Sequence, residues 1–280
     1  MTNILPDIQE TLPIIQIPIR EVGVSNVQVP FSLFGKYGGF KTMVANVSMR
    51  TNLSYDKKGI SMSRLIRTLK EYLDLPLNQK LIKQILSDLI KNVESDESYM
   101  RFDFLYPINR KSIITDSEFP IFHKCRFEGQ MRGDVFKFYQ GVIIQYSSYC
   151  PCSAELSNHL RENGSMGFPH AQRSFTEILI DGKKDTQIWL EDIIEVVEKA
   201  IKTMPYPLVK RIDEQEIARI AAENPIFVED AIRQISVELD NMPVDDWIVK
   251  CRHEESIHTS EAIAVNWKGI KNGFDYKFFL

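Results

Sequence analysis

The spacing of apolar residues changes period several times along this chain, and each change predicts an element. Met100, Phe102, Phe104 and Tyr106 recur every second position around Arg101, Asp103 and Leu105, the period of a strand with one buried face. Trp247, Val249, Cys251 and His253 do the same. Residues 42–53, 119–127, 136–146 and 173–180 also read as strands, and a last one runs from about His258 to Trp267. Helical spacing appears at Met62, Leu65, Ile66, Leu69, Tyr72 and Leu73, with Ser61 to cap and Pro76 to stop. Asn78 caps a second stripe, Leu81, Ile82, Ile85, Leu86, Leu89, Ile90 and Val93. Residues 188–204 form another amphipathic helix. Asp213 starts one more, with Glu216 as its capping-box partner, and Asn224-Pro225 opens the last.

The first thirty-odd residues alternate Pro with β-branched residues, as in Leu12-Pro13-Ile14-Ile15-Gln16-Ile17-Pro18-Ile19. Proline cannot donate to an inner ladder, so this is an extended arm or edge strand. Each half then reads as two strands, a pair of helices and two strands. No Gly-, Ser- or Pro-rich linker parts the halves. The expectation is two modules, residues 1–115 with the arm and 116–280, fused without a linker.

Composition narrows the function. The 280 residues are 44% hydrophobic and 26% charged, as in a globular protein. A net charge of -4 argues against a nucleic-acid polymer as partner but allows a local basic pocket. The N-terminus lacks the basic and apolar regions of a secretory signal. No apolar run reaches the ~18 residues of a membrane span. Four Cys are too few for a disulfide scaffold. A reducing cytoplasm is the expected setting.

The chemistry concentrates in Ser147-Ser148-Tyr149-Cys150-Pro151-Cys152-Ser153 and Pro169-His170-Ala171-Gln172-Arg173-Ser174. Cys150 and Cys152 end a strand just before a helix expected to be capped by Ser153. A helix start favours thiolate. One residue apart in extended chain, the two sulfurs face opposite sides. They are therefore not expected to grip one metal together. The plainer alternative is two half-buried structural thiols. Among the histidines, His159 on the post-Cys helix is the chief rival to His170 and His258.

Cys150-Pro151-Cys152-Ser153 followed by His170-x-Gln172-Arg173-Ser174 resembles the signature of type IB GTP cyclohydrolases, prokaryotic folate-pathway enzymes of the tunnelling fold. Gly23-Val24-Ser25-Asn26-Val27, residues 58–65 (KGISMSRL), Asn224-Pro225-x-Phe227-Val228-Glu229-Asp230 and Glu255-Ser256-Ile257-His258 resemble further family motifs. Together they span about residues 5–265, in the family's order. The resemblance implies an α+β tunnelling fold of two tandem ββααββ modules, with antiparallel sheets and helices on one face.

It also implies a reaction. Water opens the imidazole ring of GTP at C8, formate leaves, and ribose rearrangement gives 7,8-dihydroneopterin triphosphate. By resemblance, Cys150, His170 and Glu214 hold one divalent metal, zinc first with manganese or iron as alternatives. Cys152 and His258 are the catalytic candidates for proton transfer. Glu229 anchors the guanine edge, accepting from ring N–H and exocyclic amine together. Arg64 and Arg173 serve the triphosphate. Asp213 and Glu216 compete with Glu214 as ligand, but a capping role would leave Glu214 free. Open strand edges call for partners, so a homo-oligomer is expected; the resemblance implies a homotetramer with active sites at subunit interfaces.

The chain departs from the family pattern twice. Ser61 stands where a His is usual, and the seventeen residues from Ser153 to Pro169 make a long connection that must still return His170 to Cys150. The rival readings are an archaeal relative that yields a cyclic-phosphate neopterin, a nitrile reductase of the same fold, and a non-catalytic zinc-stabilised protein.

Overall fold

In a computed structural model, described for residues 8–182 and 186–269, the chain is α+β. The strands are β1 (Ile19–Phe34), β2 (Phe40–Leu53), β3 (Glu97–Lys111), β4 (Glu118–Arg132), β5 (Val135–Tyr149), β6 (Ala171–Gly182), β7 (Val244–His253) and β8 (Ala262–Lys268). The helices are α1 (Met62–Lys70), α2 (Gln79–Val93), α3 (Pro151–Glu162), α4 (Leu190–Ala200), α5 (Arg211–Glu223) and α6 (Val228–Asp240). The eight strands hydrogen-bond in sequence order, β1 to β8, in an antiparallel sheet. No helix among the described residues is long and apolar enough to cross a membrane.

The chain divides into two compact units, the first holding residues up to Leu105 plus Arg126–Tyr139, the second Tyr106–Cys125 and Gln140 onward. In the first, β1 lies at the sheet's edge, a position that its Pro30 tolerates. Met49 pairs with Met100 and Val47 with Phe102, all 2% exposed or less. The alternation read from the sequence therefore faces one core. Phe31 and Phe127 pack their rings on Phe104, with centroids 5.0 and 5.3 Å away. Asn78 caps α2 as expected, its Oδ1 accepting from Leu81 N at 2.9 Å. Ser61 precedes α1 but makes no side-chain cap bond. Helix α1 stops at Lys70, short of Leu73, and its Met62 and Ile66 are exposed.

In the second unit, α6 buries Ala231, Ile232, Ile235 and Leu239 and packs against β7 and β8. Burying an aliphatic side chain of that size is worth about 1.5–3 kcal/mol. Three helix starts differ from expectation. Pro151 takes the first helical turn, so α3 begins with Cys150 as N-cap. Ser153 is thus inside the helix, and its Oγ accepts instead from His170 N at 3.2 Å. Helix α5 begins at Arg211, so Asp213 is its third residue and accepts from Lys210 N at 2.8 Å. Glu216 pairs with Arg219 and has no capping role. Helix α6 starts at Val228, three residues after Pro225.

Two buried histidines give the fold a pH dependence. His253 is 2% exposed, with Nε2 2.9 Å from Tyr146 Oη and Nδ1 3.2 Å from Ser148 Oγ. Burial pushes its pKa down to about 4, against a smaller upward pull from Glu229. His123 is pushed down to about 4 by burial and by Arg110, against a bond to the Ile143 backbone. Below an unfolded value of 6.5, the unfolded chain binds protons that the folded chain refuses. Stability is therefore full above that pH and declines as pH falls towards 4. Each histidine should cost about 2 kcal/mol by pH 5. Glu128, raised by burial, acts with the opposite sign nearer the carboxylate range. Urea unfolding at pH 7.5 and 5.0 should show the loss. His253→Gln should be less stable at pH 7.5 but less sensitive to pH. An unchanged pH sensitivity in that variant would count against the assignment.

Candidate active site

The second unit gathers the chemistry at one end of its sheet. Neighbouring antiparallel strands alternate direction, so the end of β5, the start of β6 and the end of β7 share an edge. Cys150 follows β5, His170 precedes β6, and Glu255 to His258 follow β7. Main-chain bonds lock this convergence. Cys150 N donates to His170 O at 3.3 Å, Glu254 N to Arg173 O at 2.9 Å, and Ile226 N to Tyr149 O at 2.9 Å. The last bond brings in the segment leading to Glu229.

The long connection returns as required. Helix α3 ends at Glu162, and Gly164 takes the left-handed conformation at φ +77°. Ser165 N reaches back to Leu160 O at 2.9 Å, the wrap-around bond of a Schellman motif. Arg161 then donates twice to Gly167 O, at 3.1 and 2.8 Å, and its guanidinium lies over the Phe168 ring. His170 is reached two residues later.

His170 is half-buried and tethered on three sides. Its N donates to Ser153 Oγ, its O accepts from Cys150 N, and its Nδ1 lies 2.9 Å from Gln172 Oε1. Ser256 Oγ is 3.4 Å from the same Nδ1. Cys150 is half-buried; Cys152, in the first turn of α3, is exposed. His258 is exposed in the turn after β7, its N donating to Glu255 O at 3.4 Å. Glu229 is exposed in the first turn of α6, near enough to His253 to act on it electrostatically. Arg173 is exposed on β6.

Glu214 is carried by α5. It is exposed in the first turn, ten residues before Asn224 and so about 15 Å away along the axis. Its neighbour Asp213 is fully buried and clamps the turn after β3. Asp213 Oδ1 accepts from Ile114 N at 2.9 Å and Thr115 N at 3.0 Å, and Oδ2 from Thr115 Oγ1 at 2.6 Å. Burial alone would raise its pKa, but these donors and Lys210 N hold it well below the usual carboxylate range. Arg64 lies in the first unit, exposed on α1, within electrostatic range of Glu94.

Cys150 and His170 offer a sulfur and an imidazole nitrogen, a donor pair that suits zinc. Among the described residues, no three His, Cys, Asp or Glu side chains are grouped to hold a metal ion. The main-chain bond from Cys150 N to His170 O brings together two of the three residues expected as ligands.

The family model described as type I GTP cyclohydrolase folE2 matches residues 5–264. The chain belongs to that family. GTP cyclohydrolase FolE2 of Cereibacter sphaeroides strain ATCC 17029 is 33% identical over 253 residues, covering 90% of this chain and 70% of that protein. The FolE2 protein of Paracoccus denitrificans strain Pd 1222 is 32% identical over 254 residues, covering 90% and 79%. Among solved structures, uricase from Arthrobacter globiformis aligns with a TM-score of 0.55 at 6% identity, covering 93% of this chain and 97% of that one. A uricase from Bacillus fastidious aligns at 0.54 with 8% identity, covering 89% and 92%. At such identities the likeness concerns the fold alone: this FolE2 family member shares the uricase-like tunnelling architecture.

Gln172 and Glu255 were assigned no role from the sequence, although both lie inside the quoted motifs. Strand alternation carried the signal for Gln172, which faces inward beside His170 while Ala171 and Arg173 face out.

Proposed function

We propose that this protein is a GTP cyclohydrolase of the IB subtype that converts GTP to 7,8-dihydroneopterin triphosphate and formate in folate synthesis. The observation that carries the reading is the convergence of Cys150, His170, the 255–258 turn and the segment before α6 at one sheet edge, in a chain of the FolE2 family. Cys150 and His170 would hold a divalent ion, zinc first or else manganese or iron, with Glu214 completing the set from a neighbouring copy. Bound there, such an ion supplies Lewis acidity that lowers the pKa of water. A homotetramer with sites at subunit interfaces, two ββααββ modules per chain and a cytoplasmic setting belong to the same reading.

The chain's own residues then divide the work. Glu229 accepts from the ring N–H and exocyclic amine of guanine, a pairing that favours guanine over adenine. Arg173, together with Arg64, supplies positive charge for the triphosphate. His258 and Cys152 move protons as the C8–N bonds break and the ribose rearranges, because an imidazole and a thiol can each give up a proton and take one back.

Incubating the protein with GTP and Zn²⁺ or Mn²⁺ should release formate and leave a fluorescent neopterin triphosphate. A cyclic-phosphate product would favour the archaeal-type reaction, and no formate with any metal would overturn the proposal. Glu229→Gln should weaken GTP binding by about 10–100-fold, the worth of a charged hydrogen bond, while metal content stays unchanged. Loss of metal in that variant would mean that Glu229 is a ligand and not the guanine anchor.

A further inference from the structure

The hydrogen bonds behind His170 have a fixed direction. Gln172 is 7% exposed, and both ends of its amide are used. Oε1 lies 2.9 Å from His170 Nδ1, and Nε2 donates to Glu255 Oε1 at 3.0 Å. A carboxylate accepts and does not donate, so the amide –NH₂ must face Glu255. The amide oxygen must then face His170. An oxygen accepts, so a neutral His170 must carry its proton on Nδ1. Ser256 Oγ, 3.4 Å from Nδ1, can accept from the same proton. Nε2 is left with its lone pair and with no hydrogen-bond partner among the described residues.

We propose that Gln172 and Glu255 are a positioning pair that fixes His170 in its Nδ1–H tautomer and presents the Nε2 lone pair to the site. The pair is built by the fold. Ser174 pairs with His253 across β6 and β7. The bond from Glu254 N to Arg173 O carries the ladder one step further, and that step sets Glu255 beside Gln172. Outer partners of this kind fix ligand tautomer and orientation at metal centres, and losing one costs ~10–100-fold in metal affinity. That consequence rests on the reading of His170 as a metal ligand; the tautomer itself does not.

The test is ¹⁵N NMR of metal-free protein labelled at histidine, with the His170 signals identified by their loss in His170→Gln. The wild type should show the Nδ1–H form. Gln172→Leu should lose that preference. Glu255→Gln should give a mixture, because an amide at that end can donate or accept and no longer sets the direction. The double variant Q172E/E255Q should restore the Nδ1–H form, since a carboxylate again accepts from His170 and an amide donates to it. A purely structural role would lower stability in these variants without moving the tautomer. An Nε2–H form in the wild type would overturn the proposal, as would tautomer ratios that ignore both single substitutions. If Gln172→Leu fails to fold, Glu255→Gln carries the test, because it keeps the side chain's shape. Zn²⁺ affinity, measured by chelator competition, should fall ~10–100-fold in Gln172→Leu and recover in the double variant. A tautomer that responds while Zn²⁺ affinity does not would support the pair and reject His170 as a ligand.

Discussion

Replacing His170 with alanine should abolish formate release from GTP while leaving the fold standing. Both main-chain tethers of His170 survive the change, because they run from its N to Ser153 and from Cys150 to its O. The side chain is only half-buried, so little packing is lost. Stability should change by about 1 kcal/mol or less, roughly 2–4 °C in Tm for a chain of this size. Activity should fall by at least ~1,000-fold, the equivalent of about 4 kcal/mol of transition-state stabilisation. Cys150→Ala should match it, with metal lost in both. Formate release, metal content and a melting curve on the same sample separate these effects. A metal-free Cys150→Ala variant with full turnover would end the proposed assignment of both residues.

The largest effect on stability is expected from a residue far less conspicuous than the histidine. Gly23→Ala should destabilise the first unit by about 3 kcal/mol or more, lowering Tm by roughly 6–12 °C or preventing folding. A Cβ at Gly23 would lie 1.9 Å from Met49 O and 2.8 Å from Arg50 Cα. Both are main-chain atoms of the paired strand, so no rotamer change relieves the clash. The register shifts just beyond it, between Val24 and Val27, where Asn26 takes φ +58°. The edge strand therefore approaches its neighbour closely at Gly23 and bends away after it. Gly39→Ala is the control. Gly39 has φ +81°, and a Cβ there would meet nothing within 4 Å, so the change should cost only the ~1–2 kcal/mol of left-handed backbone. Equal melting shifts in the two variants would show that close approach is not what holds Gly23.

Strands and helices were legible where one face is buried, because the period of the apolar residues is the period of the element. Trp247, Val249, Cys251 and His253 alternate in sequence and are all buried on β7. Ile82, Ile85, Leu86, Leu89 and Val93 form the buried stripe of α2. Helix starts were less legible, because several polar residues near a boundary can each serve as a cap. Pro151 displaced the start of α3 two residues ahead of Ser153, and Lys210 displaced that of α5 ahead of Asp213.

By itself the sequence determined which residues are candidates for the chemistry and in what order, since side-chain type and local spacing are properties of the chain. It marked Cys150, His170, Glu229 and His258 without saying how they meet. Tertiary structure alone decided that the ends of β5 and β7 and the start of β6 bring Cys150 and His170 together, while Glu214 on α5 forms no three-residue group with them. It alone gave Asp213, which also accepts from the α5 N-cap Lys210, its clamp on Ile114 and Thr115, 99 and 98 residues away. It alone joined Gln172 to Glu255 across 83 residues. Such bonds leave no local period to read: each partner is an ordinary polar residue until the sheet register sets the two side by side.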